Sequence, residues 1–129
     1  MSSKPRPAPR DLGTVPGAPS KGALLCRVDE IEDNGSRAFT FSEGDKRFEM
    51  FLHRLGETVV AYENSCPHLY LPLDWQPGRF LSAAGDEFIC SSHGARFRPL
   101  DGFCTLGPCA GAWLRGVLIH VENGEIRVA

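Results

Sequence analysis

The sequence predicts an all-β domain of short antiparallel strands. Three observations carry that expectation. Short apolar-rich runs recur through residues 23–129, each bounded by Gly, Asn, Asp or Pro. Asn123-Gly124 lies between two such runs, and both residues tolerate the positive φ of a tight hairpin turn. No stretch holds the 3.6-residue apolar period over the length of an ordinary helix.

In chain order, residues 23–28 form the first expected strand. Residues 39–41 and 47–54 flank Ser42-Glu43-Gly44-Asp45, a hairpin turn. Residues 57–63 follow Leu55-Gly56 as the next strand. Residues 88–90 and 95–98 are short strands around a tight loop, 91–94. Residues 117–122 and 125–128 form the hairpin at Asn123-Gly124.

A chain of 129 residues fits one domain with a modest core. The net charge of −2 leaves no domain-wide basic field, so nucleic acid is not the expected partner. The charge is uneven: residues 1–22 carry +3 and the remainder −5. The first 22 residues also hold five of the ten prolines and few large apolar side chains. They are expected to be a flexible Pro-rich tail, with the structured domain spanning 23–129. No apolar run approaches the ~20 residues that cross a bilayer, and the N-terminus has no apolar signal region. No membrane contact and a cytoplasmic location are therefore expected. Five cysteines are too few, and oddly numbered, for a disulfide scaffold. Clustered with histidines, they point to a metal or to catalysis.

Two short pairs carry that chemistry. Cys66-Pro67-His68 is a Cys-x-His pair and Cys90-Ser91-Ser92-His93 a Cys-x-x-His pair, with 21 residues between the two. Each pair is compact enough for both side chains to converge from one loop on one centre. Two loops would then supply two thiolates and two imidazoles. A structural Cys2His2 zinc site accepts the same four atoms in a tetrahedron, but the order of the pairs differs from the usual finger pattern. A Rieske-type [2Fe–2S] centre uses them differently: two cysteines hold one iron and two histidines the other.

With Gly94-Ala95-Arg96-Phe97, Asp101-Gly102 and Gly107-Pro108-Cys109 following, the two pairs resemble the two-part signature of the Rieske [2Fe–2S] family. The resemblance covers about residues 23–129. It implies an antiparallel β-sandwich or barrel with a small cluster-binding subdomain, about residues 64–110, made of two ligand loops. It further implies a third, proline-containing loop over the cluster, with Gly107-Pro108 in its place. The ligands implied are Cys66, His68, Cys90 and His93, holding one Rieske-type [2Fe–2S] cluster per chain.

Departures from one branch of the family narrow the expectation. High-potential respiratory members carry an extra cysteine in each ligand loop, joined as a disulfide; here Leu71 and Ser92 stand at those positions. They also carry a serine and a tyrosine whose hydroxyls donate to cluster sulfur, where this chain has Ala95 and Phe97. Two missing donors leave the reduced cluster less stabilised, which implies a potential toward the low end of the ~ −150 to +300 mV Rieske range. The low-potential, soluble ferredoxin branch fits best. Its role would be to carry one electron at a time from a reductase to a terminal oxygenase or oxidase, with no substrate transformed by the chain itself. A redox- or iron-responsive regulatory module and a structural zinc module are the alternatives.

The remaining residues of interest have plainer readings. Cys104 and Cys109 could form a local disulfide or a redox-sensitive pair; packing is the favoured reading in a reducing compartment. Cys26 reads as buried packing, His53 and His120 as ordinary strand histidines, and Trp75 and Trp113 as core. Arg79, Arg96 and Arg98 form either a docking rim or a solvated face. A catalytic Rieske oxygenase would need a second, mononuclear iron, for which only His53 and His120 remain.

Overall fold

The computed structural model describes residues 5–67, 71–74, 76, 78–90 and 94–129. Among them the chain forms nine strands and no α-helix. These are β1 (Leu24–Arg27), β2 (Ser36–Glu43), β3 (Lys46–Leu55), β4 (Thr58–Glu63), β5 (Phe88–Ile89), β6 (Arg96–Phe97), β7 (Cys104–Leu106), β8 (Ile119–Glu122) and β9 (Glu125–Val128). They assemble into three antiparallel sheets of three strands, ordered β1-β9-β8, β2-β3-β4 and β5-β6-β7. No helix of the described residues is long and apolar enough to cross a membrane.

The all-β expectation holds, and most strands lie where the apolar runs placed them. The β8–β9 turn is the one Asn123-Gly124 announced: Glu122 pairs with Glu125, and the two turn residues take φ of 53° and 75°. Both positive values are what a type I′ turn requires. β2 begins three residues earlier than expected, since Ser36 to Ala38 extend the register against Phe51 to His53. β7 was not expected at all, because it lies in a turn-rich stretch and is only three residues long.

β3 organises the interior. Alternate side chains of a strand point to opposite faces, and here both faces are covered. Phe48, Met50 and Leu52 join Cys26, Ile126 and Val128 of the β1-β9-β8 sheet in one buried cluster. Phe51 faces the other way, into a cluster with Tyr62, Phe80, Phe88, Cys66, Cys90 and Ala95. The Phe51 ring stacks on Phe80 at 3.9 Å between centroids and meets Phe88 edge-on at 5.1 Å, an arrangement aromatic quadrupoles favour. The second cluster is the floor on which the Cys66 and Cys90 loops rest.

Within the segment expected to be a free tail, residues 6–18 are seated on the domain. Leu12 is 1% exposed and packs into the Met50–Ile126 cluster. Arg10 donates its N–H to Gly116 O at 2.7 Å and accepts from Leu118 N at 3.0 Å. The Arg10 guanidinium pairs with Glu63 at 3.1 Å, and Arg6 lies 5.7 Å over the Trp113 ring. Composition hid this, because one buried leucine and two backbone bonds suffice to seat a segment that is otherwise polar.

Candidate metal centre

Cys66 leaves the end of β4 and enters a loop held by its own backbone. Its N–H donates to Leu71 O at 2.8 Å. Behind it the buried Asn64 fixes the loop: its carbonyl oxygen accepts from Leu73 N at 2.8 Å, and its amide nitrogen donates to Asp74 at 3.0 Å. An asparagine side chain satisfies both needs because it carries an acceptor and donors on one planar group.

Cys90 sits at the tip of the β5–β6 hairpin. Its N–H donates to Ala95 O at 2.8 Å, and its carbonyl accepts from Gly94 N at 3.0 Å. Cys66 and Cys90 are each 2% exposed and belong to one buried cluster. Of the four ligands expected from the sequence, the structure thus brings these two thiols into one apolar environment. His68 and His93 lie outside the described residues, as do Ser92 and Trp75. Among the described residues no group of three or more His, Cys, Asp or Glu side chains is gathered as a metal site.

A third segment runs against Ala95 in the same hairpin. Gly107 adopts φ of 103°, and a Cβ there would meet Ala95 Cα at 2.7 Å. Only glycine lets this backbone pass so near Ala95. Cys109 follows in the same loop, its Sγ 3.1 Å from Cys104 Sγ, and both cysteines are free thiols. Cys104 also donates to Leu106 O at 3.3 Å. Burial pushes the Cys109 thiol well up, and the neighbouring Cys104 thiol adds to it. The sequence reading of this pair as packing residues missed how closely the two sulfurs meet.

The surroundings settle several other residues. His53 is fully buried, with Ser36 Oγ at 2.7 Å from Nδ1 and Asn34 Oδ1 at 3.1 Å from Nε2. Burial holds its pKa down to about 4, against a smaller opposing pull from Asp33. Both ring nitrogens are engaged, so His53 is a core histidine. His120 is exposed and pairs with Glu122 at 2.9 Å. Trp113 meets Phe103 edge-on at 4.9 Å. Arg98 grips Asp101 through two nitrogens at 3.1 and 2.6 Å, and Arg96 approaches Glu87 at 3.9 Å. An open cleft of about 1010 Å³ adjoins Cys90, lined by Asn34, Ser36, Arg79, Phe80 and Arg96 among others. Leu71 and Leu106, on the first and third loops, are half exposed.

Three antiparallel sheets thus carry two loops that each bury a cysteine, with a glycine-bearing loop against Ala95. Residues 22–125 match the family described as the Rieske [2Fe–2S] domain. The chain belongs to that family, whose cofactor is a Rieske-type [2Fe–2S] cluster. In fold it is similar to the ferredoxin of carbazole 1,9a-dioxygenase from Nocardioides aromaticivorans IC177, at 28% identity and a TM-score of 0.64. That likeness covers 85% of this chain and 98% of that one. It is also similar to a chain in a complex of reduced oxygenase and oxidized ferredoxin of carbazole 1,9a-dioxygenase, at 22% identity and a TM-score of 0.63, over 83% of this chain and 91% of that one. The Sphingomonas yanoikuyae B1 ferredoxin is similar at 19% identity and a TM-score of 0.58, over 83% and 96%. No curated protein matches the chain in sequence.

The residues present fit the cluster. Two thiols buried to the same degree, on loops of equal backbone closure, suit an iron held by two cysteines. The apolar side chains of Phe80, Phe88 and Phe97, in one buried cluster with Cys66 and Cys90, would keep water from a cluster held there.

Proposed function

We propose that this chain is a Rieske-type ferredoxin of the low-potential branch, an electron carrier that transforms no substrate and serves a terminal oxygenase or oxidase, fed by a reductase. The paired loops carry the reading: each closes on itself and buries one cysteine, Cys66 or Cys90, and the sequence sets a histidine, His68 or His93, two or three residues on. When bound, the cluster supplies a one-electron couple. The protein's own residues do the rest. Asn64 and the Cys66–Leu71 bond hold the first loop, the β5–β6 hairpin holds the second, and Gly107 lets the third lie close.

Two features support the carrier role. The likeness to the Nocardioides ferredoxin spans 98% of that chain, so the resemblance extends over a whole electron-carrier domain. Half-exposed Leu71 and Leu106 and the cleft beside Cys90 offer a partner apolar contact and a concave surface around the loops. A mononuclear iron site draws no support here, because both nitrogens of His53 are already hydrogen-bonded. The potential is proposed to be low because Ala95 and Phe97, both fully buried, bring no hydroxyl to the cluster side.

The test is an EPR spectrum of the dithionite-reduced protein, with iron, sulfide and zinc assayed on the same sample. A rhombic signal of low average g, with iron and sulfide in equal amounts, is the expected result. A colourless, silent protein with stoichiometric zinc would leave a structural module instead.

A further inference from the structure

Four cysteine sulfurs lie in or beside the loop cluster, and the proposed function uses two of them, Cys66 and Cys90. The other two, Cys104 and Cys109, are free thiols on the third loop and the strand before it. Cys104 Sγ and Cys109 Sγ stand 3.1 Å apart, about 1 Å beyond the ~2.05 Å of a disulfide. Their backbones are held for this meeting through one residue. Ala112 accepts from Cys104 N at 2.9 Å and donates from its own N–H to Cys109 O at 2.9 Å. Gly111 N adds a bond to Cys104 O at 3.0 Å. These bonds fix the backbones of the two cysteines, and their χ1 rotamers bring the sulfurs together.

Exposure ranks the four sulfurs. Cys109 is 9% exposed, against 2% for Cys66 and Cys90 and 0% for Cys104. An oxidant arriving from solvent meets Cys109 first, with Cys104 directly behind it as the resolving sulfur. Burial disfavours the Cys109 thiolate, so its oxidation is slow, and a thiol this enclosed admits only a small, uncharged oxidant.

We propose that Cys104 and Cys109 form a reversible dithiol–disulfide couple in the loop that covers Ala95, with hydrogen peroxide as oxidant and Cys109 as the first sulfur oxidised. In the first step Cys109 Sγ gives up its proton and attacks one peroxide oxygen. The O–O bond breaks, and the leaving hydroxide takes the proton, giving water and a sulfenic acid. In the second step Cys104 Sγ attacks Cys109 Sγ, the S–O bond breaks, and hydroxide leaves with the Cys104 proton as a second water. Two thiols and one peroxide become one disulfide and two waters; the sulfurs lose two electrons and the peroxide oxygens gain them.

The experiment titrates the full-length protein with hydrogen peroxide after its iron and sulfide have been assayed. Samples are alkylated in denaturant and mapped by mass spectrometry. About one equivalent of peroxide should remove two hydrogens from the peptide carrying both Cys104 and Cys109, leave Cys66 and Cys90 alkylatable, and be undone by dithiothreitol. Cys104→Ala should stop at a Cys109 sulfenic acid that dimedone traps. Alkylation of both Cys104 and Cys109 after excess peroxide overturns the proposal, as does a link from Cys109 to Cys66 or to a second chain. A protein without iron that still forms the Cys104–Cys109 link supports this proposal and defeats the cluster reading. Full iron with both thiols left free does the reverse.

Discussion

Cys66 and Cys90 occupy matching positions in two loops: each donates its backbone N–H to the carbonyl five residues on, Leu71 for one and Ala95 for the other, at 2.8 Å in both cases. A loop closed this way needs no metal to hold its first residue, because the backbone bond and the apolar floor already fix it. The cysteines are thus pre-positioned, and replacing one should remove the cofactor more than the fold. Cys66→Ala and Cys90→Ala are expected to lose visible absorbance and bound iron while keeping a native β-type circular dichroism spectrum. A variant that retains full iron would take its cysteine out of the ligand set. His93→Cys should lower the potential and weaken its pH dependence, since it trades a titrating imidazole for a thiolate.

Ala95 offers the next test. It is fully buried, its carbonyl closes the Cys90 loop, and Gly107 lies against it. A serine hydroxyl at this position could donate to the cluster side and favour the more negative, reduced state. A charge-assisted hydrogen bond of ~1.5 kcal/mol corresponds to about 60 mV in a one-electron couple. Ala95→Ser is therefore expected to raise the potential by tens of millivolts in a redox titration, and Phe97→Tyr to act in the same direction. A potential unchanged in both variants would remove the missing donors as the reason for a low value.

Much of this arrangement was legible in the sequence, for identifiable reasons. Asn123-Gly124 announces its hairpin because the two residues alone tolerate the required backbone, and the turn forms whatever surrounds it. That Cys66 and Cys90 share one buried cluster agrees with their expected convergence, which rested on residue type and spacing together. β7 escaped notice because a three-residue strand has too few side chains to show a period. Asn64 escaped because nothing local marks an asparagine that will bind Leu73 and Asp74, nine and ten residues on. The closeness of Cys104 and Cys109 depends on a backbone path through Gly107 and Ala112 that spacing alone does not fix.

His53 gives stability a pH dependence. Its folded-state pKa is held down to about 4 by burial, against 6.5 for an unburied histidine. Between these values the unfolded chain binds the extra proton, so stability rises with pH across the window. The contribution is fully present above about pH 6.5, declines as pH falls toward 4, and levels off below that, with a total on the order of 3 kcal/mol. Denaturation midpoints measured from pH 7 to pH 4 should fall for the wild type. They should fall less for His53→Gln, which carries no titrating group. Equal slopes for the two proteins would assign the acid sensitivity to other residues.

Leu12 decides where the folded domain begins. The leucine is as deeply buried as Ile126, yet it lies ten residues before the start of the family match at residue 22. Truncating a buried leucine to alanine costs ~2–5 kcal/mol, through lost transfer energy and the cavity left behind. Leu12→Ala is expected to lower the free energy of unfolding by that amount without altering the EPR spectrum, because Leu12 packs in the Met50–Ile126 cluster and not beside Cys66. A chain starting at Ala23 loses the same leucine together with the Arg10 bonds to Gly116, Leu118 and Glu63. It should be destabilised at least as much while still binding its cluster. If it proves as stable as the full chain, the segment rests on the surface without supporting it. If it cannot hold iron even at low temperature, the segment supports the loop cluster as well as the sheet beneath Leu12.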